Sequence, residues 1–339
     1  PTQECQAVYL MQLQELDLAC DILVCSDPQG LRVGSGGGTL NALDHLRQKI
    51  GLTELRNSKV LVIHSGGDSR RAPLHSVCGK AWASLNTAEV ASPLSLLIKE
   101  ISSFFQGRDL QVGFVVASSD VLLSLQPLTE LSRANIPRDA VSVVVVPEVP
   151  GIASSHGVLV PEERSKASLL SEPSTRNGQV EVARAAQYLQ KPSLVEMEEA
   201  GAIDSATGMS LIDTGLVIAS GNAFTTFLSL LDDPLVSRCT ERVLTAPQAE
   251  QGQQTSRKSP DANPALRLEL YSDVLLALAV GGAPPSLEEY SHRLGLEQEL
   301  HPQEAAEAGY PNQRGGPQEP QPRPLLRAAL VRLWQRLRS

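Results

Sequence analysis

The sequence predicts an α/β sandwich with a mostly parallel central sheet, and three features predict it. Short β-rich runs alternate with longer helical ones. Most of the β-rich runs are apolar throughout rather than alternating, as strands buried on both faces are. The segments between them carry apolar residues at helical spacing, so each can lay one face on a sheet. The strand candidates are CDILVCS (20–26), KVLVIHS (59–65), QVGFVVASS (111–119), VSVVVVPEV (141–149), HGVLVP (156–161) and MSLIDTGLVIAS (209–220). The helix candidates are AVYLMQLQEL (7–16), TLNALDHLRQKI (39–50), SPLSLLIKEISSFFQG (92–107) and NAFTTFLSLLDDPLVSRCTERVL (222–244). In an open sheet of this kind ligands gather beyond the carboxyl ends of the strands, so the residues just after each strand are the first candidates for function.

The 339 residues are 42% apolar and 20% charged, enough for one large domain or two smaller ones. The net charge of −9 argues against general nucleic-acid binding, which needs a face rich in lysine and arginine. Any anionic ligand must be held locally. The five cysteines (Cys5, Cys20, Cys25, Cys78 and Cys239) form no CxxC and no zinc-like spacing, and they read as reduced thiols. With no run of 18 apolar residues and no leader pattern, the expected compartment is cytoplasmic. The chain starts at Pro1, inside what reads as a helix, and is expected to be a fragment.

Residues 1–300 read as the globular part, with a low-complexity insertion at 247–264. A Pro/Gln/Gly-rich linker follows at 301–324, then a short basic amphipathic helix at 325–339 with Arg327, Arg332, Arg336 and Arg338.

Two glycine-rich stretches carry the chemistry. In RVGSGGGTLNAL (32–43), Gly34, Gly36, Gly37 and Gly38 surround Ser35 and precede Thr39. Glycine is costly in regular structure, so such a cluster implies close approach to the backbone, and phosphate is the first candidate. The second stretch, GGDSRRAPLHSVCGKAW (66–82), supplies what the first lacks. Gly66 and Gly67 free backbone N–H groups, Arg70 and Arg71 offer paired donors, and Lys80 is a compact charge. A Walker A loop does not fit, because Gly79-Lys80 is followed by Ala81. The dinucleotide fingerprint does not fit either, because Thr39 and Asn41 stand where its last glycine would fall.

Together these stretches resemble the GDP-fucose pyrophosphorylase domain of the bifunctional fucokinase/GDP-fucose pyrophosphorylase (L-fucokinase) family, whose RIGSG, TLNA and GGDS.R.P....GK segments they match. SSDVLL, IASSHGVLV, LQKPSLVEM and LIDTGLVIASG follow in the family's order, and the resemblance covers about residues 8 to 280. It implies a GT-A-like (Rossmann-like) nucleotidyltransferase sandwich. The implied reaction transfers GMP from GTP to L-fucose 1-phosphate, giving GDP-L-fucose and pyrophosphate, with Mg2+ or Mn2+ as cofactor. The family's β-helix and its GHMP-type sugar kinase domain are not visible here. The expected partners are therefore GTP, L-fucose 1-phosphate and a fused or docked kinase domain.

The nucleophile, a phosphate oxygen, is already ionised at neutral pH, so the site must mainly position and neutralise charge. Gly34, Ser35, Gly36, Gly37, Gly38, Thr39, Gly66 and Gly67 are the nucleotide-binding candidates, and Arg70, Arg71 and Lys80 the catalytic ones. By resemblance, Asp120 matches the family's metal-binding aspartate, although aspartate equally suits the N-cap of the segment that follows. Asp273 is a second metal candidate that also fits an ordinary helix start. Lys191, preceded by Gln190 where the wider superfamily often has glutamate, resembles the sugar-phosphate lysine. Asp213, Thr214 and Gly215 lie where that superfamily places sugar contacts, and His156 stands beside them either as a ligand or as a structural histidine. A non-catalytic nucleotide-sugar-binding fragment is the alternative to the enzyme. The GHMP kinase signature is not met by RVGSGGGTL.

Overall fold

The computed structural model describes residues 6–28, 33–65, 80–85, 91–105, 113–119, 121–123, 137, 139–162, 182–232, 268–275 and 278. Its helices are α1 (Gln6–Gln14), α2 (Gly34–Ile50), α3 (Leu52–Arg56), α4 (Pro93–Phe105), α5 (Pro150–Ala153), α6 (Leu194–Glu199) and α7 (Gly221–Leu230). A 3-10 turn spans Lys80–Trp82, and a π-helical segment spans Leu270–Leu275. The strands are β1 (Lys59–His64), β2 (Gly113–Ser118), β3 (Val141–Glu148), β4 (Gly157–Pro161), β5 (Ala185–Gln190) and β6 (Ser210–Ser220).

All six strands form one sheet in the order β1-β2-β6-β4-β5, with β3 paired to the other edge of β6. The sheet is mixed, which corrects the expectation of a mostly parallel one. Only β1 and β2 pair in parallel, whereas β6 runs antiparallel to β2, β3 and β4, and β5 antiparallel to β4. The expectation failed for a specific reason: β1 to β4 all point the same way, but the eleven-residue β6 inserts among them in the opposite direction. A strand buried on both faces is apolar whichever way it runs, so its sequence carries no direction.

Alternation along the central strands builds a layer on each face. Phe114, Val116, Val217 and Ala219 face α2, α7 and the 268–275 segment, joining Leu40, Leu43, Phe227, Leu268 and Leu270 in the larger core. Val115, Ala117, Leu216 and Ile218 face the opposite way, onto Leu97 and Ile101 of α4. Phe114 anchors the first layer with edge contacts to Phe224 and Phe227, at centroid distances of 5.8 and 4.9 Å. Arg47 ties α2 to the end of α7 through Asp232, 2.7 Å away.

Two further expectations change. Residues 20–26 form no strand: Cys20 N–H closes a turn onto Leu18 O, and Ser26 is held by the side chains of Gln6 and Asn41 rather than by a ladder. Leu23 is 39% exposed, so the run lacks the two-sided burial that its composition suggested. The helix expected from residue 39 also starts earlier, because the glycine stretch 34–38 forms the first turn of α2. Its close neighbour is the chain itself. Leu268 N–H donates to Val33 O and Gly37 N–H to Leu268 O, both at 2.9 Å. A side chain at Gly34 would run into the Leu268 carbonyl, and a Cβ at Gly36 would stand 3.0 Å from the same oxygen. The insertion at 247–264, the linker at 301–324 and the helix at 325–339 lie outside the described residues.

Gly34 and Gly51 both hold positive φ, +78° and +83°, but nothing lies within 4 Å of a Cβ at Gly51. Gly51→Ala should therefore lose only the backbone term, about 1–3 kcal/mol. Gly34→Ala should lose clearly more, because the Leu268 backbone must also move. Urea denaturation of the two variants beside the wild type measures the difference.

Candidate active site

β2 and β4 lie end to end along one edge of β6. The pairing of β2 stops at Val217, and that of β4 starts at Ile212. Asp213, Thr214 and Gly215 therefore face a gap between the carboxyl end of β2 and the start of β4, the kind of opening in which α/β sheets bind ligands. On the other edge β3 bulges between Val143 and Val145, and Thr214 Oγ1 donates to Val144 O at 2.8 Å. Gly215 turns the strand with φ +76°, and its carbonyl accepts Tyr271 Oη–H at 3.0 Å. Ser118, Tyr271 and Val121 surround the place where a Gly215 Cβ would stand, at 3.7, 3.7 and 3.8 Å.

With no ladder at the gap, polar groups there must satisfy one another. The Asp213 carboxylate accepts Gly215 N–H at 3.2 Å, Tyr188 Oη–H at 2.8 Å and the backbone N–H of Gly157. Tyr188, 2% exposed on β5, also reaches Gln190 Oε1 at 2.7 Å. Burial raises the carboxyl pKa of Asp213 above its ordinary value, while the donors from Tyr188, Gly215 and Gly157 and the nearby His156 oppose the rise. Burial also raises the Tyr188 phenol, and the Asp213 charge adds to it. A Cβ at Gly157 would run into both the Asp213 carboxylate and the Tyr188 hydroxyl, so a side chain there would force the pair to shift.

His156 and Lys191 are exposed and adjoin this cluster. His156 Nδ1 lies 3.0 Å from Ile152 O, the placement of an Nδ1–H donor that leaves Nε2 as the outer nitrogen. Lys191 N–H donates to His156 O at 3.0 Å, and Lys191 takes a left-handed φ of +49°, unusual for a residue with a side chain. His156, before β4, and Lys191, after β5, are thus brought near Asp213 and Gly215 in the middle of β6, whereas the hydroxyl of Thr214 is spent on the bulge of β3.

A second polar group lies where β1 ends beside the first turn of α2. Glu269 accepts Ser35 N–H at 3.0 Å and Ser35 Oγ–H at 2.8 Å, placing a carboxylate at the positive end of α2. Thr39 Oγ1 donates to Ser35 O, so the 2.9 Å contact with His64 requires His64 Nε2 to be the donor there. Burial of the imidazole lowers its pKa to about 4, against the pull of Glu269. The amide of Gly37 and the polar groups of Ser35 and Thr39 are thus occupied within the protein. Gly38 adjoins His64, whose Cε1 would lie 3.3 Å from its Cβ.

Gly66, Gly67, Arg70, Arg71 and Asp120 lie outside the described residues, as do the side chains of Lys80, which opens the 3-10 turn, and of Asp273, in the π-helical segment. Among the described residues no group of three or more His, Cys, Asp or Glu side chains is gathered as a metal would require. No helix among the described residues is long and apolar enough to cross a membrane.

The family model of the fucose pyrophosphorylase domain matches residues 53–306, which run from α3 through the gap and past the π-helical segment. The chain belongs to the fucose pyrophosphorylase domain family. It is similar to the bifunctional fucokinase/GDP-fucose pyrophosphorylase of Arabidopsis thaliana, 32% identical over 234 residues, 61% of this chain and 21% of that protein. It also resembles the fucose-1-phosphate guanylyltransferase of Mus musculus, 28% identical over 194 residues, 57% of this chain and 31% of the relative. The L-fucokinase/L-fucose-1-P guanylyltransferase of Bacteroides fragilis is 27% identical over 216 residues, 60% of this chain and 20% of that protein. The chain therefore spans between 20% and 31% of the length of these relatives. All four gap residues, His156, Lys191, Asp213 and Gly215, fall inside the matched fucose pyrophosphorylase region.

Sequence reasoning missed Tyr188, His64 and Glu269, and noted Gln190 only as the neighbour of Lys191. His64 had a usable signal, since it stands at the carboxyl end of a strand candidate. Tyr188 lies three residues before Lys191 on a strand that was not among the candidates, and Glu269 meets Ser35 from 234 positions away.

In the unfolded chain His64 takes up a proton near pH 6.5, but in the folded protein only near pH 4. Its depressed pKa thus stabilises the fold above pH 6.5, and that contribution is lost as pH falls toward 4. Thermal melts between pH 7 and pH 4 should show this decline in the wild type and a shallower one in His64→Gln.

Proposed function

We propose that this fucose pyrophosphorylase domain is a sugar-1-phosphate nucleotidyltransferase that uses GTP and L-fucose 1-phosphate. A fucose 1-phosphate oxygen attacks the α-phosphorus of GTP, the bond to the β-phosphate breaks, and GDP-L-fucose and pyrophosphate form. The observation that carries the reading is the convergence of His156, Lys191, Asp213 and Gly215 on one gap of the sheet. A lysine, a histidine, a hydrogen-bonded carboxylate and a turn glycine suit a sugar phosphate: the lysine and the histidine would face the phosphate and the carboxylate the sugar hydroxyls. The names of the plant, mouse and bacterial relatives support the same substrates.

Gly66, Gly67, Arg70, Arg71 and Lys80 are the proposed triphosphate contacts, where fixed positive charge would stabilise the departing pyrophosphate. The glycines of α2 fit a packing role against Leu268, so α2 serves the nucleotide mainly by holding the His64 end of β1 in place. A magnesium ion, bridging phosphates and lowering charge repulsion, would be held by Asp120 and Asp273. The sheet is proposed to be GT-A-like, with residues 1–300 as the nucleotidyltransferase unit and a cytoplasmic setting. A sugar kinase domain, fused or docked, would supply fucose 1-phosphate.

Pyrophosphate release from GTP with L-fucose 1-phosphate tests the reading. Lys80→Ala should lower kcat/KM about 10²- to 10³-fold, the scale of losing one charge-stabilising group, whereas Lys191→Ala should act mainly on KM for the sugar phosphate. Saturable GTP binding without release from any sugar phosphate would instead identify a nucleotide-sugar-binding domain.

A further inference from the structure

We propose that Tyr188 is a positioning residue for sugar-phosphate binding: its phenol, whose proton Gln190 competes for, fixes the Asp213 carboxylate at the gap between β2 and β4. The inference rests on the assignment of that gap to fucose 1-phosphate. Tyr188 is buried, and its Oη lies 2.8 Å from Asp213 Oδ2 and 2.7 Å from Gln190 Oε1. A phenol has one proton, so two acceptors at such distances divide it. The strand beside it is built around this contact, because any side chain at Gly157 would displace both the carboxylate and the phenol.

The Asp213 carboxylate is therefore held on two sides, by Gly215 N–H on Oδ1 and by Tyr188 on Oδ2, and its remaining acceptor capacity has a fixed direction. That direction would read a sugar hydroxyl. The groups facing the pair are His156, from the turn before β4, and Tyr271, from the π-helical segment, with Lys191 following β5. Tyr188 touches no reacting atom in this scheme and acts through Asp213 alone. The hydrogen bond favours the ionised carboxylate, and Gln190 weakens it by competing for the proton.

The test uses the full chain carrying Tyr188→Phe or Gln190→Leu. Tyr188→Phe keeps the buried ring, and Gln190 is exposed, so both should fold. Carboxyl carbon NMR titration, with the Asp213 signal assigned by its loss in Asp213→Asn, reports the charge directly. Calorimetry with fucose 1-phosphate reports affinity. In Tyr188→Phe the Asp213 midpoint should move to higher pH and the affinity fall about tenfold, as for one lost hydrogen bond to a charged group. In Gln190→Leu the midpoint should move to lower pH, a reversal that mere loosening of the strand would not produce. Wild-type binding with unchanged titration and affinity in Tyr188→Phe would overturn the role of Tyr188 alone. Failure of the wild type to bind fucose 1-phosphate would defeat the assigned function, whatever the titrations show.

Discussion

β6 carries the structure. It is eleven residues long and buried over most of its length, and it is hydrogen-bonded along one edge to β3 and along the other to β2 and then β4. Backbone amides in such a place must be paired, because water does not reach them. Where β2 ends and β4 has not begun, the ladder cannot do the pairing, and side chains take over: Asp213 accepts amides, Tyr188 secures Asp213, and Tyr271 donates to the Gly215 carbonyl. The candidate site is thus the polar repair of a break in the sheet.

A second constraint closes the molecule from far along the chain. Residues 268–270 lie against the start of α2, exchange backbone hydrogen bonds with Val33 and Gly37, and place the Glu269 carboxylate on Ser35. A hydrogen bond to a charged group contributes about 1.5–3 kcal/mol, and this contact also offsets the entropy of ordering a distant segment. It makes demands on both partners, since the backbones approach closely only because positions 34 and 36 lack side chains. The clasp also places the π-helical segment so that Tyr271 can reach Gly215. The glycines of α2 and the gap in the sheet are mechanically linked through that segment.

The sequence and the structure agree where burial alone decides. The strands β1, β2, β3, β4 and β6 all fall within apolar runs, and in β2, β4 and β6 burial on both faces accounts for that composition. Strand direction leaves no such mark, which is why the antiparallel insertion of β6 was not legible. β5 was missed because, lying outside β4 with Gln187 and Gln190 exposed, it reads as a weak polar stretch. The run at 20–26 has strand composition but no strand to pair with among the described residues. Lys191, His156, Asp213 and Gly215 were legible as candidates through ordered motifs, and their role as sugar contacts is a proposal. Tyr188 and Glu269 were not legible, because each acquires its role from a partner far away in sequence. The glycine cluster signalled close backbone approach correctly, but composition could not say whether phosphate or Leu268 approaches.

Charge completes the argument. For the proposed reaction, a chain of net charge −9 would have to bind two phosphorylated substrates through positive charge confined to the site. Among the described residues at the gap, Lys191 and His156 are exposed, while the Asp213 carboxylate is partly buried and raised in pKa. A carboxylate beside a phosphate would ordinarily repel it. Donors from Tyr188, Gly215 and Gly157 spread that negative charge over three hydrogen bonds, which lessens the repulsion while keeping an acceptor for a hydroxyl. In the proposed reaction this lets one small site hold a sugar by its hydroxyls and its phosphate by separate groups, with the segment at 66–82, most of it outside the described residues, proposed for the nucleotide. The division explains why the residues read as sugar contacts cluster at the break in β6 rather than along the glycine turn of α2.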